Sequence, residues 1–189
     1  MAELTISGDT HPILKDDYAS EWMGIQVLSV GDGHATVRMT LRQEMLNGFG
    51  MAHGGMVFAF GDTAFALACN PADPEADTIT VAAGVDINFL KPAFRGQILT
   101  AVATRRASTG RSGLYDIQIY AADPGTAPML STPSTTAAST TGAASPTAGA
   151  ASATAGAGTA AAAADIPPAA YPGELIAEFR GRSRTISKK

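Results

Sequence analysis

One cysteine, Cys69, stands among 189 residues, which excludes an internal disulfide and any CxxC pair for zinc or redox work. A lone cysteine of this kind is most simply a small core residue. The three histidines, His11, His34 and His53, show no metal-ligand spacing, so no metal is implied. No apolar run is long enough to span a bilayer, which needs about 20 such residues. Residues 1–10 are polar and lack the apolar stretch of a secretory signal. These absences lead to the expectation of a cytoplasmic protein with no membrane partner. The net charge of −4 disfavours nucleic acid as a partner. The charge is unevenly divided, because residues 1–90 carry −9 and residues 91–189 carry +5. The basic half could therefore hold a small polyanion, although charges scattered over solvated faces give the same count.

Large side chains are missing from one segment. Residues 122–172 are dominated by Ala, Thr, Ser, Gly and Pro, with Asp123 and Asp165 as the only charges. Such a composition cannot bury enough apolar surface to offset the entropy of ordering. A flexible insertion is expected there, joining two strands of one domain made of residues 1–121 and 173–189. Closure entropy grows only with the logarithm of length, so the fold can tolerate it.

The stretch that organises the rest is residues 47–70, NGFGMAHGGMVFAFGDTAFALACN. From Gly55 onward nearly every side chain is apolar or small, the mark of a helix enclosed on all sides. Its N-terminal end is rich in glycine (Gly48, Gly50, Gly54, Gly55), which leaves backbone N–H groups accessible at the positive end of the helix dipole. Asp62 lies about two turns in, where a lone carboxylate is costly to desolvate.

Around this helix the periodicity changes. Leu14, Tyr18 and Trp22 recur every four residues within 11–23, predicting one face of an amphipathic helix. Ala35, Val37, Met39 and Leu41 alternate with polar residues, and Gly31-Asp32-Gly33 supplies a turn, predicting a hairpin over residues 24–41. Residues 70–77 read as a loop. Strands are expected over 79–90, 98–107 and 113–121, and 174–186 alternates in its first half. Helix, hairpin, long helix and then several strands argue for α+β, an antiparallel sheet wrapped on one helix.

The strings MLNGFGMAHGGMVFAFGDTAFALACN, VDINFLKPAFRGQILTA, TGRSGLYDIQIY and AEFRGRSRTI closely resemble the hotdog-fold acyl-CoA thioesterases of the phenylacetate-degradation type. The resemblance covers nearly all of the chain outside 122–172. It implies a sheet rolled around a central helix and hydrolysis of a thioester between coenzyme A and a small aryl-acetic acid, phenylacetyl or hydroxyphenylacetyl, or a similar group. Coenzyme A is then part of the substrate, and no cofactor is implied. By the same resemblance Gly54 supplies the N–H that polarises the carbonyl, His53 precedes it, Asp62 is nucleophile or general base, and Asn47 sits near the carbonyl or the water. Gly55, Thr63, Asp16, Asn88, Lys91, Pro92 and Arg111 are expected to contact substrate. Asp16 departs from the family pattern, where Asn can occur. Thr63 and Asn47 are the expected donors that keep Asp62 ionised.

Structural readings compete at several of these positions. His53 could brace the loop, Asn47 could form the Asn-Gly turn, Gly54 and Gly55 could serve helix packing, and Lys91 and Arg111 could be solvated charges. A hydratase or dehydratase would need a histidine–carboxylate pair, but His53 lies nine residues before Asp62. A non-catalytic acyl-CoA sensor on the same fold is opposed by the intact Asp62. Gly54 and Asp62 stand about 12 Å apart along one helix, at 1.5 Å per residue. A donor and an attacking group that share one carbonyl must lie within about 7 Å. Two helices crossing at a twofold axis meet this requirement, so a homodimer with shared sites is expected, and the resemblance adds pairing of dimers into a homotetramer.

Overall fold

The computed structural model describes residues 11–70, 72–73, 75–126 and 173–188. The expected insertion falls mostly on residues 127–172, which lie outside the described residues. Six strands form a single antiparallel sheet: β1 (Gln26–Gly31), β2 (His34–Thr40), β3 (Thr78–Phe89), β4 (Ile98–Thr109), β5 (Ser112–Ala122) and β6 (Glu174–Ser187). Their spatial order is β1-β2-β4-β5-β6-β3, so β1 and β3 are the edges. Helix α1 spans Tyr18–Met23 and the long helix α2 spans Gly54–Cys69.

The hairpin forms as its alternation predicts. Gly31 pairs with His34, and Gly33 takes φ 77°, a left-handed conformation that a side chain would disfavour. Asp32 accepts from both terminal nitrogens of Arg105 on β4, at 2.7 and 2.8 Å, which clamps the turn to the sheet. The inward faces of β2 and β4 bury Ala35, Val37, Met39, Leu99, Ala101 and Ala103 against α2. β5 and β6 are adjacent and antiparallel, with Ala121 opposite Glu174.

The N-terminal segment corrects the four-residue spacing. A 3₁₀ turn over Pro12–Leu14 ends before Asp16, whose φ of 61° breaks the chain direction, and α1 begins only after Asp17, which accepts the Ser20 N–H at 3.1 Å. Because the helix restarts, Tyr18 and Trp22 no longer share a face with Leu14. They stand 72% and 51% exposed, while Leu14, Ser20 and Met23 are buried. Arg42 covers the Trp22 ring at 5.2 Å and donates to the carbonyls of Trp22 and Met23. His11 is fully buried: its Nδ1 accepts from the Ile13 N–H and its Nε2 donates to the Asn70 carbonyl at 3.1 Å. That pairing ties the start of the described chain to the end of α2.

Helix α2 is only half enclosed, which corrects the expectation of burial on every side. Val57, Phe60, Gly61, Ala64, Phe65, Leu67 and Ala68 form a stripe at helical spacing that packs on the sheet. The opposite stripe, through Gly55, Phe58, Asp62 and Ala66, is exposed or half-buried. At the centre of the packed face Phe65 meets Tyr115 edge-on and Phe179 at a tilt, with ring centroids 5.3 and 6.0 Å apart. The Phe65 ring also lies on Gly181 of β6, where a Cβ would come within 2.6–2.7 Å of three ring carbons. Phe65 is buried and cannot swing aside, so Gly181→Ala is expected to destabilise the fold by about 1–3 kcal/mol, the usual cost of overpacking. Urea unfolding of the two proteins measures this directly; equal midpoints would show that the ring has room to move.

Candidate active site

The loop before α2 is held by hydrogen bonds that fix where the helix begins. Asn47 Oδ1 accepts from the N–H groups of Phe49 (2.9 Å) and Met51 (3.3 Å), and the Asn47 N–H donates to the Met51 carbonyl at 2.8 Å. The next two residues are pinned in turn: Ala52 N–H donates to Ala93 and His53 N–H to Met45. His53 is the N-cap, with extended backbone and its ring Nδ1 accepting from Gly55 N–H at 3.0 Å. The His53 carbonyl accepts from Met56 and Val57. Three of the four first-turn donors are therefore occupied. Among the described residues the Gly54 N–H has no partner, so one donor is left at the positive end of the helix.

Gly54 lines a cavity of about 430 Å³ together with Asn47, Lys91 and Pro92. Four residues singled out in the sequence thus meet in one place. The remaining walls are apolar and come from Met51, Ala52, Val57, Phe89, Leu90, Ala93 and Ile176. Lys91 forms an exposed ion pair with Glu174. The Phe89 ring reaches the helix end so closely that a Cβ on Gly54 would lie 3.2 Å from its Cζ. An apolar chamber of this size with one free donor and a few polar groups at its rim suits a small organic ligand that carries one carbonyl or anionic oxygen.

Asp62 is not part of this cavity. It occupies the half-open stripe of the same uninterrupted helix, about 12 Å along the axis from Gly54. Burial pushes its carboxyl above the usual carboxylate range. Neither expected donor reaches it. The Thr63 hydroxyl donates to the Ala59 carbonyl at 3.2 Å and meets Ser20 Oγ at 3.0 Å, joining α1 to α2 instead. Asn47 belongs to the cavity rim and to its own turn. No hydrogen bond joins Asp62 to His53 among the described residues, so the pair that a hydratase needs is not formed. The Cys69 thiol is pushed up to about 12, chiefly by burial, which removes it as a nucleophile.

The thioesterase superfamily family model matches residues 49–128. Acyl-coenzyme A thioesterase PaaI of Escherichia coli is 40% identical over 111 residues, covering 59% of this chain and 76% of that protein. A putative esterase of Archaeoglobus fulgidus is 30% identical over 105 residues, 56% of this chain and 66% of its own. The chain belongs to the thioesterase superfamily. It is a thioester hydrolase with the hotdog fold. The solved structure of the E. coli PaaI protein, from the phenylacetic acid degradation operon, superposes with a TM-score of 0.64 and 28% identity over 96% of this chain and 93% of that one. A thioesterase protein of Streptococcus pneumoniae, solved with coenzyme A, shares the fold alone: TM-score 0.55, 14% identity, 87% of this chain and 90% of that one.

The other expected substrate contacts of this thioesterase lie apart from the cavity. Gly55 is exposed beside His53 at the start of α2. Asp16 forms the break before α1, and Arg111 sits exposed in the β4–β5 turn. Asn88 is exposed on β3, whose neighbours Ile87 and Phe89 face inward. Conversely, sequence reasoning overlooked the apolar wall. For Phe89 the available signal was its place two residues after Ile87 and four after Val85, the alternation of the β3 face that packs on the core. Among the described residues no group of three His, Cys, Asp or Glu could hold a metal, and no helix is long and apolar enough to cross a membrane.

The state of Asp62 has a consequence for stability. Its folded-state affinity for protons is raised, so between the ordinary carboxylate pKa and the folded one the native state binds more protons than the unfolded chain. Stability therefore falls as pH rises through that window, and the penalty is complete above the folded-state pKa. Asp62→Asn is expected to raise Tm at pH 7, and the gain should vanish below the ordinary carboxylate pKa. Melting curves across this range decide the matter, and a lower Tm for the variant at pH 7 would show that the carboxylate is compensated.

Proposed function

We propose that the protein hydrolyses acyl-CoA thioesters with a small aryl-acetyl or similar acyl group, within a homodimer whose sites are each shared by two chains. The single observation that carries this reading is the unpartnered Gly54 N–H opening on an apolar cavity. It can donate to the thioester carbonyl as that oxygen becomes an oxyanion; one such donor is typically worth about 2.7–4 kcal/mol in the transition state. The activity named for the E. coli relative and its place in a phenylacetic acid degradation operon support both the reaction and the acyl class.

The attacking group has to come from elsewhere, because Asp62 is too far along the same helix. A twofold axis across the open stripe of α2 brings Asp62 of the partner subunit to the cavity, twice per dimer. There it attacks the thioester carbon or takes a proton from water that does. When water attacks, the proton taken by Asp62 passes to the departing sulfur as the C–S bond breaks, giving the free acid and the coenzyme A thiol. When Asp62 attacks, C–S cleavage leaves an acyl anhydride on its carboxylate, and one water then hydrolyses it to the free acid, supplies the thiol proton and restores Asp62. Asn47 positions the carbonyl or the water from the rim, and His53 acts by holding the helix start. Lys91 and Arg111 are candidates for the phosphates of coenzyme A, with Thr63, Asp16 and Asn88 acting through the assembly. Dimers pair further into a tetramer, in a cytoplasmic setting consistent with one reduced cysteine.

Release of free thiol from a panel of acyl-CoAs tests the reaction. Asp62→Asn should lose at least 10²-fold in kcat while still binding coenzyme A, and the wild-type rate should decline on acidification at a pH above the ordinary carboxylate range. A variant retaining more than about a tenth of kcat would remove Asp62 from the chemistry. Sharing between chains is tested by mixing Asp62→Asn with Gly54→Val, each inactive alone. Mixed dimers should regain one working site of two, whereas no recovery after demonstrated subunit exchange would place both groups in one chain.

A further inference from the structure

We propose that Phe89 sets acyl-group selectivity, acting as the aromatic face on which the acyl part of the substrate packs. This rests on the thioesterase reading of the cavity and goes beyond it by naming the discriminating side chain. Phe89 closes β3, the edge strand, and its ring is turned inward to line the cavity. Cζ, Cε1 and Cε2 lie 3.2, 3.6 and 3.6 Å from where a Gly54 Cβ would stand, so the para edge of the ring is aimed at the helix start. The ring therefore stands beside the residue whose N–H would hold an acyl carbonyl, within reach of the acyl group attached to it.

Phe89 is nevertheless 56% exposed, so the residue that lines the cavity also remains accessible from outside it. The other apolar walls, Met51, Val57, Leu90 and Ile176 among them, are aliphatic or thioether side chains, and among the described residues Phe89 is the one aromatic ring that lines the cavity. An aryl group one methylene from the carbonyl can meet Phe89 edge-to-face or offset-stacked. A straight alkyl chain gains apolar contact but no such pairing. Because the residue is on an edge strand and largely exposed, its replacement should not unfold the protein.

The test compares wild type with Phe89→Ala, Phe89→Leu and Phe89→Tyr. The quantity is the ratio of kcat/KM for phenylacetyl-CoA to that for hexanoyl-CoA. Phe89→Ala and Phe89→Leu should lower this ratio roughly three- to tenfold, and Phe89→Tyr should preserve it. In parallel, calorimetry in the Asp62→Asn background measures the binding of non-hydrolysable phenylacetylmethyl and hexanoylmethyl ketone analogues of the two CoA esters, where the same change in ratio should appear in Kd. Ratios unchanged in variants with wild-type Tm overturn the proposal, as does an equal loss for both acyl groups. Thiol release from neither ester by wild type, with the Kd ratio still dependent on Phe89, would refute hydrolysis but keep the ring as the selective surface.

Discussion

The cavity depends on how the first turn of α2 distributes its amide donors. A helix end exposes four N–H groups, and each of them can be met by a cap, a carbonyl or water. Here His53 satisfies three, through Nδ1 and its own carbonyl, and Gly54 is the one left over. Under the proposed reaction a single donor would matter because an oxyanion formed at a carbonyl has one position, and a rigid donor at that position needs no reorganisation. The rigidity comes from further back, in the turn that Asn47 holds and in the pairing of Ala52 and His53 with Ala93 and Met45.

This division of labour explains which parts of the site were legible in the sequence. Gly54 and Asp62 stand out chemically: one lacks a side chain at a helix start, and the other is a charge in an apolar run. The family resemblance pointed to both. The capping role of His53 was one of two readings, because sequence does not reveal which ring nitrogen faces a backbone amide. Thr63 was misjudged as a donor to Asp62 because adjacency in a helix turns two side chains about 100° apart. Its hydroxyl went to Ser20, and that partner lies on an element whose direction changes at Asp16.

The same break accounts for the misread face of the N-terminal segment. A spacing of four identifies one side of a helix only while the helix continues, and the left-handed Asp16 ends that condition between Leu14 and Tyr18. The strands fared better. Their period of two holds wherever the ladder is regular, so the inward residues of β2 and of the first half of β4 follow from alternation, and the antiparallel β1–β2 and β4–β5 pairs follow from their short turns. The strand ends moved by up to a few residues, as at Ile98–Thr109, because cross-strand hydrogen bonding continues past the last apolar position.

Helix α2 carries two apolar stripes, and composition cannot tell a helix buried in its own chain from one buried against a second copy. The sheet claims the stripe through Phe60, Ala64, Phe65 and Leu67. The other stripe offers Gly55, Phe58 and Ala66 around a single carboxylate. An apolar face that stays open beside a carboxylate with no donor is unfavourable in two ways at once, since surface is left in water and a charge is half desolvated. A twofold contact would relieve the first while deepening the second. In the proposed dimer Asp62 would become a still better proton acceptor, and the stability lost at the carboxylate would be offset by the apolar area buried around it.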